Sequence, residues 1–255
     1  MKPGFFLFIT GLCLFASGAP PPPPPPTNTA FFEPVQIDIE FVERPADANK
    51  NLILSQPEVK THMRSHLLDF LVETSVFMPE DEKLDTFTMA VQTLDAYMSR
   101  CVVPVKQYQL FGITALFLAS KYNNQHGERL RISACILACE NTYSAENIKK
   151  AERTMLTTLD HDLFVISPSL FLKGGDVKTI DFIITAMYYD FELLEANSTT
   201  KALLCARIYN AIIEGHYELA DLMCGRTLLA SLRANYNKEM FMGFRSLLLE
   251  EWLKP

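Results

Sequence analysis

The stretch Val105–Tyr122 reads VKQYQLFGITALFLASKY, and beyond its first turn it is apolar on every side. Pro104 sets its start, no proline interrupts it, and its charges, Lys106 and Lys121, sit near its two ends. A helix that is apolar all round has no face to give to water. It therefore belongs at the centre of a bundle, with other helices packed around it. The segments on either side must supply amphipathic helices to cover it.

Glu58 to Phe77 places Met63, Leu67, Leu68, Leu71 and Val72 on one core-facing stripe, and Pro79 ends it. Asp81 to Arg100 repeats the pattern with Leu84, Phe87, Val91, Leu94 and Met98 at spacings of three and four. Arg131 to Cys139 makes a short fourth helix. Ser144 is placed to cap a fifth that runs to Leu159, with Glu146 in its first turn, where the helix dipole favours a carboxylate. These helices build one compact bundle with the Val105–Tyr122 helix at its centre. Pro168 and Gly174-Gly175 mark a boundary. Helices are predicted beyond it around Val177–Tyr188, Thr199–Glu214, Glu218–Arg233 and Lys238–Trp252, which implies a second, smaller bundle. The fold class is all-α.

The first residues read differently. Lys2, the apolar run Phe5–Phe15 and Ala16-Ser17-Gly18 have the layout of a secretory signal, and the run is too short to span a bilayer. Pro20–Pro26 is an unbroken proline rod that separates this segment from the rest; it lacks flanking basic residues, which favours a spacer over an SH3-type ligand. Val35–Phe41 (VQIDIEF) alternates apolar and polar residues, as an extended arm or short strand lying on a neighbouring surface does. The domain expectation is therefore 1–30 apolar segment and spacer, 31–56 arm, 57–167 first bundle and 168–255 second bundle.

A hydrophobic content of 49% over 255 residues is enough for one or two sizeable cores. The formal charge of −7, from 23 basic against 30 acidic residues, argues against nonspecific nucleic-acid binding, which needs a basic face. The six cysteines lie in apolar helical runs without CxxC spacing and read as reduced core thiols, which fits an intracellular compartment. The signal-like start and the triplet Asn197-Ser198-Thr199, a glycosylation sequon, point the other way.

No GxSxG elbow, HExxH, Walker loop or GxGxxG turn occurs, so no catalytic residues, metal or cofactor are expected. His62 and His66 are one turn apart but lack the glutamate order of a zinc motif. The informative residues are instead charges set into apolar helices: Arg64, Asp69, Asp95, Lys121 and Glu152. A charge there is costly unless it is paired.

Three stretches carry a resemblance. MRSHLLDFLVE (Met63–Glu73), LDAYMS (Leu94–Ser99) and YQLFGITALFLASKYNN (Tyr108–Asn124) resemble, in order and spacing, the cyclin-box texts MRxxLxDWLxEV, LDRFLS and LQLxGxTALFLASKxEE. The segment NIKKAERTMLTTLDHDLFVISPSLFL (Asn147–Leu172) is similar to the close of that box. The resemblance covers residues 57–172 well and the remainder weakly. It implies two tandem five-helix cyclin-fold bundles, the first strongly marked.

The resemblance further implies that Arg64 and Asp95 are a buried ion pair joining the first two helices, and that Leu110 is a core position of the third. Lys121 and Glu152 match the pair that cyclins present to a protein kinase, with Tyr122, Asn123 and Asn124 beside the lysine. A substrate-docking patch maps onto Met63, His66, Leu67, Phe70, Glu73 and Gln109. Departures are Asn123-Asn124 for an acidic pair, Phe70 for Trp, Ala96 for Arg, and His66 for an aliphatic residue.

No LxCxE motif occurs, so the retinoblastoma docking route of D-type cyclins is not visible, and the arm has no RxxL destruction motif, which argues against mitotic turnover. The segment LDHDLFVISPSLF resembles D-type or virus-encoded cyclins in length and rhythm, which sets the subtype expectation. The function implied is a regulatory subunit, not an enzyme. It would form a heterodimer with a cyclin-dependent kinase, meet substrates or inhibitors through the patch, and bind neither nucleic acid nor a membrane stably. Its expected place is the nucleus and cytoplasm, the host nucleus if viral. The alternatives are a cyclin-fold transcription factor that binds DNA or polymerase, and a secreted helical protein.

Overall fold

The computed structural model describes residues 34–37, 48–79, 82–123, 129–163 and 165–213. The expectations for residues 1–30, for Asn124, for Cys13 and Cys224, and for helices over 218–233 and 238–252 lie outside these residues, as does most of the alternating arm.

The chain is mostly helical. A short helix, α1 (Lys50–Leu54), precedes α2 (Thr61–Thr74), α3 (Lys83–Met98), α4 (Val105–Tyr122), α5 (Ile132–Ala138) and α6 (Ala145–Thr158); α7 (Val177–Met187) and α8 (Ser198–Ile213) follow. Two two-residue strands, β1 (Gln36–Ile37) and β2 (Leu172–Lys173), pair antiparallel. No helix among the described residues is long and apolar enough to cross a membrane.

Helix α4 is the centre of the first bundle. Every residue from Leu110 to Ser120 is buried, and α2, α3, α5 and α6 all pack on it. Ser144 caps α6 reciprocally: its Oγ accepts from the Asn147 amide at 3.2 Å, and Asn147 Oδ1 accepts from the Ser144 amide at 2.9 Å.

Three features differ from the pattern reading. Residues 50–54 are helical rather than extended, because Asn49 Oδ1 accepts from the Leu52 amide at 3.1 Å and nucleates a turn. Helix α2 ends at Thr74 and tightens into a 3-10 turn over Ser75–Phe77. There the Thr74 and Ser75 hydroxyls donate back to the carbonyls of Phe70 and Val72 at 2.7 and 2.6 Å, competing with the regular ladder.

The third difference is larger. Helix α3 reads as a one-stripe helix, yet Thr86 to Met98 is buried throughout except at Gln92. Besides α4, the helices α1, α2 and, from the following half of the chain, α7 pack on it.

Gln56, itself buried, ties the α1–α2 link to the turn between α3 and α4. Its Nε2 donates to the carbonyls of Met98 and Cys101, both at 2.9 Å, and its Oε1 accepts from the Val103 amide at 2.9 Å. A buried amide so fully satisfied fixes the start of α4, which in turn aims its far end.

Candidate functional site

The C-terminal end of α4 and the middle of α6 bring two charges together. Lys121 Nζ lies 2.6 Å from Glu152 Oε1, and their side chains are 33% and 16% exposed. The ammonium also sits 4.1 Å from the centroid of the Phe117 ring, one turn earlier on α4. A cation in the last turn of a helix is favoured by the dipole. Packing between α4 and α6 sets the separation, so the pair is pre-positioned on rigid elements rather than on loops.

The surroundings are part apolar and part open. Tyr122 is 56% exposed, and Leu137, on the α5 helix that packs against both α4 and α6, is 62% exposed. Asn123 ends α4, half-buried, with its amide donating to the Ala119 carbonyl at 2.9 Å. Two charges with spare donors and acceptors beside exposed apolar side chains can grip the backbone of a docked partner. No group of three or more metal-ligating side chains occurs among the described residues.

The second cluster is buried. Arg64 and Asp95 meet at two points; Nη2 to Oδ2 is 2.9 Å, and Nη1 pairs with Oδ1. Burial acts to lower the Arg64 pKa, but Asp95 and then Tyr108 more than offset this and hold it above its ordinary value. Burial pushes the Asp95 carboxyl up, and Arg64 pulls it back.

The same guanidinium donates to the Tyr188 carbonyl at 3.2 Å and lies 5.7 Å from the Phe191 ring. Tyr188 and Tyr189, just past α7, are the residues that pattern reading missed. Tyr189 donates to Asp69 Oδ1 at 2.9 Å, Gln92 Nε2 donates to the Tyr188 hydroxyl at 2.8 Å, and the buried Lys201 stands 5.0 Å over the Tyr188 ring. Burial raises the Asp69 pKa, and the Tyr189 hydrogen bond draws it partly back. The legible signal was Asp69 itself, a carboxylate in an apolar stretch.

On α2, Met63 and Phe70 are half-buried, His66 and Glu73 are exposed, and Leu67 is buried beneath Gly112 of α4; Gln109 of α4 is half-buried. Leu110 is buried as well. His62 and His66 stack edge to face, 6.3 Å between centroids. Cys101, Cys135 and Cys139 are free thiols. Burial pushes Cys135 up to about 12 and Cys139 up to about 11, so neither is a thiolate nucleophile at neutral pH.

With this geometry in place, comparison with known proteins is direct. Residues 41–164 match the family model for the N-terminal domain of cyclins. The chain belongs to the cyclin family. This cyclin is 32% identical over 128 residues to cyclin puc1 of Schizosaccharomyces pombe, which covers 50% of the present chain and 35% of that protein. It is 29% identical over 204 residues to the G2/mitotic-specific cyclin-3 of Saccharomyces cerevisiae, covering 76% of the chain and 45% of the relative. Cyclin-B2-2 of Oryza sativa subsp. indica is 30% identical over 171 residues, covering 63% and 39% respectively. The matched part thus spans less than half the length of each of these relatives. Residues 1–33, where the signal-like run and the prolines lie, fall outside the matched domain.

Proposed function

We propose that this cyclin is a non-catalytic regulatory subunit that binds a cyclin-dependent serine/threonine kinase as a heterodimer, holds it in its active form and promotes cell-cycle progression. The observation that carries the reading is the partly buried Lys121–Glu152 pair, 2.6 Å apart on two packed helices. Relatives named as G2/mitotic-specific and G1/S-specific cyclins support the cell-cycle part.

The physical account is a population shift. A kinase works only when its internal Lys–Glu pair and its activation loop are in place. A surface that binds that arrangement more tightly than the inactive one moves the equilibrium by the difference in affinity; turning 1:99 into 99:1 takes roughly 5.5 kcal/mol. Lys121 supplies donors for carbonyls at the end of a partner element, and Glu152 supplies acceptors for amides. Because the two already orient each other, little side-chain entropy is lost on docking. Exposed apolar side chains such as Tyr122 and Leu137 add the desolvated area.

The α2 face bearing Met63, His66 and Phe70, with Gln109 of α4, is where this reading places contacts with kinase substrates or inhibitors. The site of action on this reading is the nucleus and cytoplasm.

The reciprocal exchange Lys121→Glu with Glu152→Lys tests the assignment. It keeps an ion pair between α4 and α6 while inverting the polarity offered to the partner. The helical circular-dichroism signal and melting temperature are expected to stay unchanged. Affinity for the kinase is expected to fall by about 2–5 kcal/mol, and activation with it. Full kinase activation by the exchanged protein refutes the assignment of this surface.

A further inference from the structure

Between the Gly174-Gly175 turn and α8 the chain holds one of its own segments by its backbone. Asn210, on α8, reads both main-chain groups of one residue. The Val35 amide donates to its Oδ1 at 2.8 Å, and its Nδ2 donates to the Val35 carbonyl at 3.0 Å. A side-chain amide used in this way does the work of a neighbouring strand.

The next two residues continue with a real strand, Gln36 opposite Lys173 and Ile37 opposite Leu172. Val35 itself is 4% exposed. Its Cγ2 occupies the space that a Cβ on Gly175 would need, with Ile180 and the Tyr209 ring beside it. Gly174 and Gly175 have φ of +82° and +79°, so glycine serves twice here, for the turn and for the room it leaves. The walls are braced: the Tyr209 hydroxyl accepts from the Asp176 amide at 2.7 Å, and Asp176 caps α7 by accepting from the Thr179 amide at 2.8 Å.

These parts are those of a peptide-binding slot: a two-point backbone clamp, a strand edge and a pocket sized for one branched apolar side chain. The geometry points to a receptor for an extended segment with a β-branched apolar residue in the pocket and a second apolar residue two positions on. The chain's own Pro34–Ile37 is its resident ligand, acting as a latch. Gln36 between them is exposed and goes unread. Occupancy by the tethered segment is favoured by effective concentration, in the mM range for a short link, so the slot opens to a separate peptide only when the latch is disabled.

The test uses the full chain and a fluorescent synthetic peptide of residues 32–39. Val35→Asp puts a charge in the apolar pocket and frees the slot. The peptide is expected to bind the Val35→Asp chain at least tenfold more tightly than the unaltered chain. Adding Asn210→Asp, which cannot donate to the carbonyl, is expected to abolish that binding. A peptide carrying the Val35→Asp change is expected to fail on both chains.

Hydrogen exchange is expected to rise in α7 and α8 of the Val35→Asp chain and to stay unchanged in α4. Should Val35→Asp lose its helical signal, Val35→Gly, which only empties the pocket, takes its place with the same expectations. Equal peptide affinity for all chains, or no binding to any, overturns the inference. Unaltered exchange in α7 and α8 overturns it too.

Discussion

Arg64 has several partners where its place in the sequence promised one. Apolar surroundings say that a buried guanidinium needs a carboxylate, and Asp95 is the carboxylate at matching depth on the next helix. They say nothing of the Tyr188 carbonyl, 124 residues away, or of the Phe191 ring. Charge pairing is legible because its energy depends on residue type; a backbone carbonyl has no type to read.

The buried thiols and phenol lead to a pH expectation. Burial raises Cys135 to about 12 and Tyr108 to about 12. A group whose folded pKa is raised contributes stability that is complete below its unfolded pKa and is lost as pH climbs through the folded one. Unfolding free energy, followed by urea titration, is therefore expected to fall from about pH 9 to about pH 12, the interval between the usual cysteine value and the raised one. Cys135→Ala is expected to flatten that fall while starting from a lower plateau.

Among the elements, α4 was the most legible because its pattern has one reading: apolar all round means central. Helix α3 was legible in extent but not in setting. A stripe of Leu and Val marks one buried face, whereas Thr86, Thr88 and Thr93 look solvent-tolerant and yet are buried. Small hydroxyl residues hide their burial by donating within their own helix, as Thr88 does to the Asp85 carbonyl at 3.0 Å.

The crossing of α2 and α4 is close at Gly112, where a Cβ would come within 2.6 Å of Leu67 Cδ1. Gly112→Ala is expected to cost about 1–3 kcal/mol through overpacking, measured by chemical denaturation. Leu67→Ala added to it is expected to recover part of that loss, because the two positions share one space. Helix α1 went unread since five residues give too short a window for periodicity; only Asn49 ahead of an apolar run announces it.

Across the whole molecule, residues of the first bundle also hold the second half. Arg64, Asp69 and Gln92 each contact Tyr188 or Tyr189. Arg64→Ala is expected to lower stability by about 3–5 kcal/mol, since it leaves Asp95 buried and unpaired. Hydrogen exchange is expected to quicken in α8 as well as in α3; an effect confined to α3 counts against the interlock. The surface assigned to kinase contact was legible as a pair of residue types, but their mutual 2.6 Å contact was not, because it depends on how α4 and α6 cross.

Tyr188 also sets its ring edge-on to Phe87, 6.1 Å between centroids, while its hydroxyl and carbonyl are both engaged by the first bundle. One residue thus answers to Phe87, Gln92 and Arg64 together. In a lineage of such chains the two halves are not free to drift apart: a change at Tyr188 demands an answering change on α2 or α3, so these positions should vary in concert.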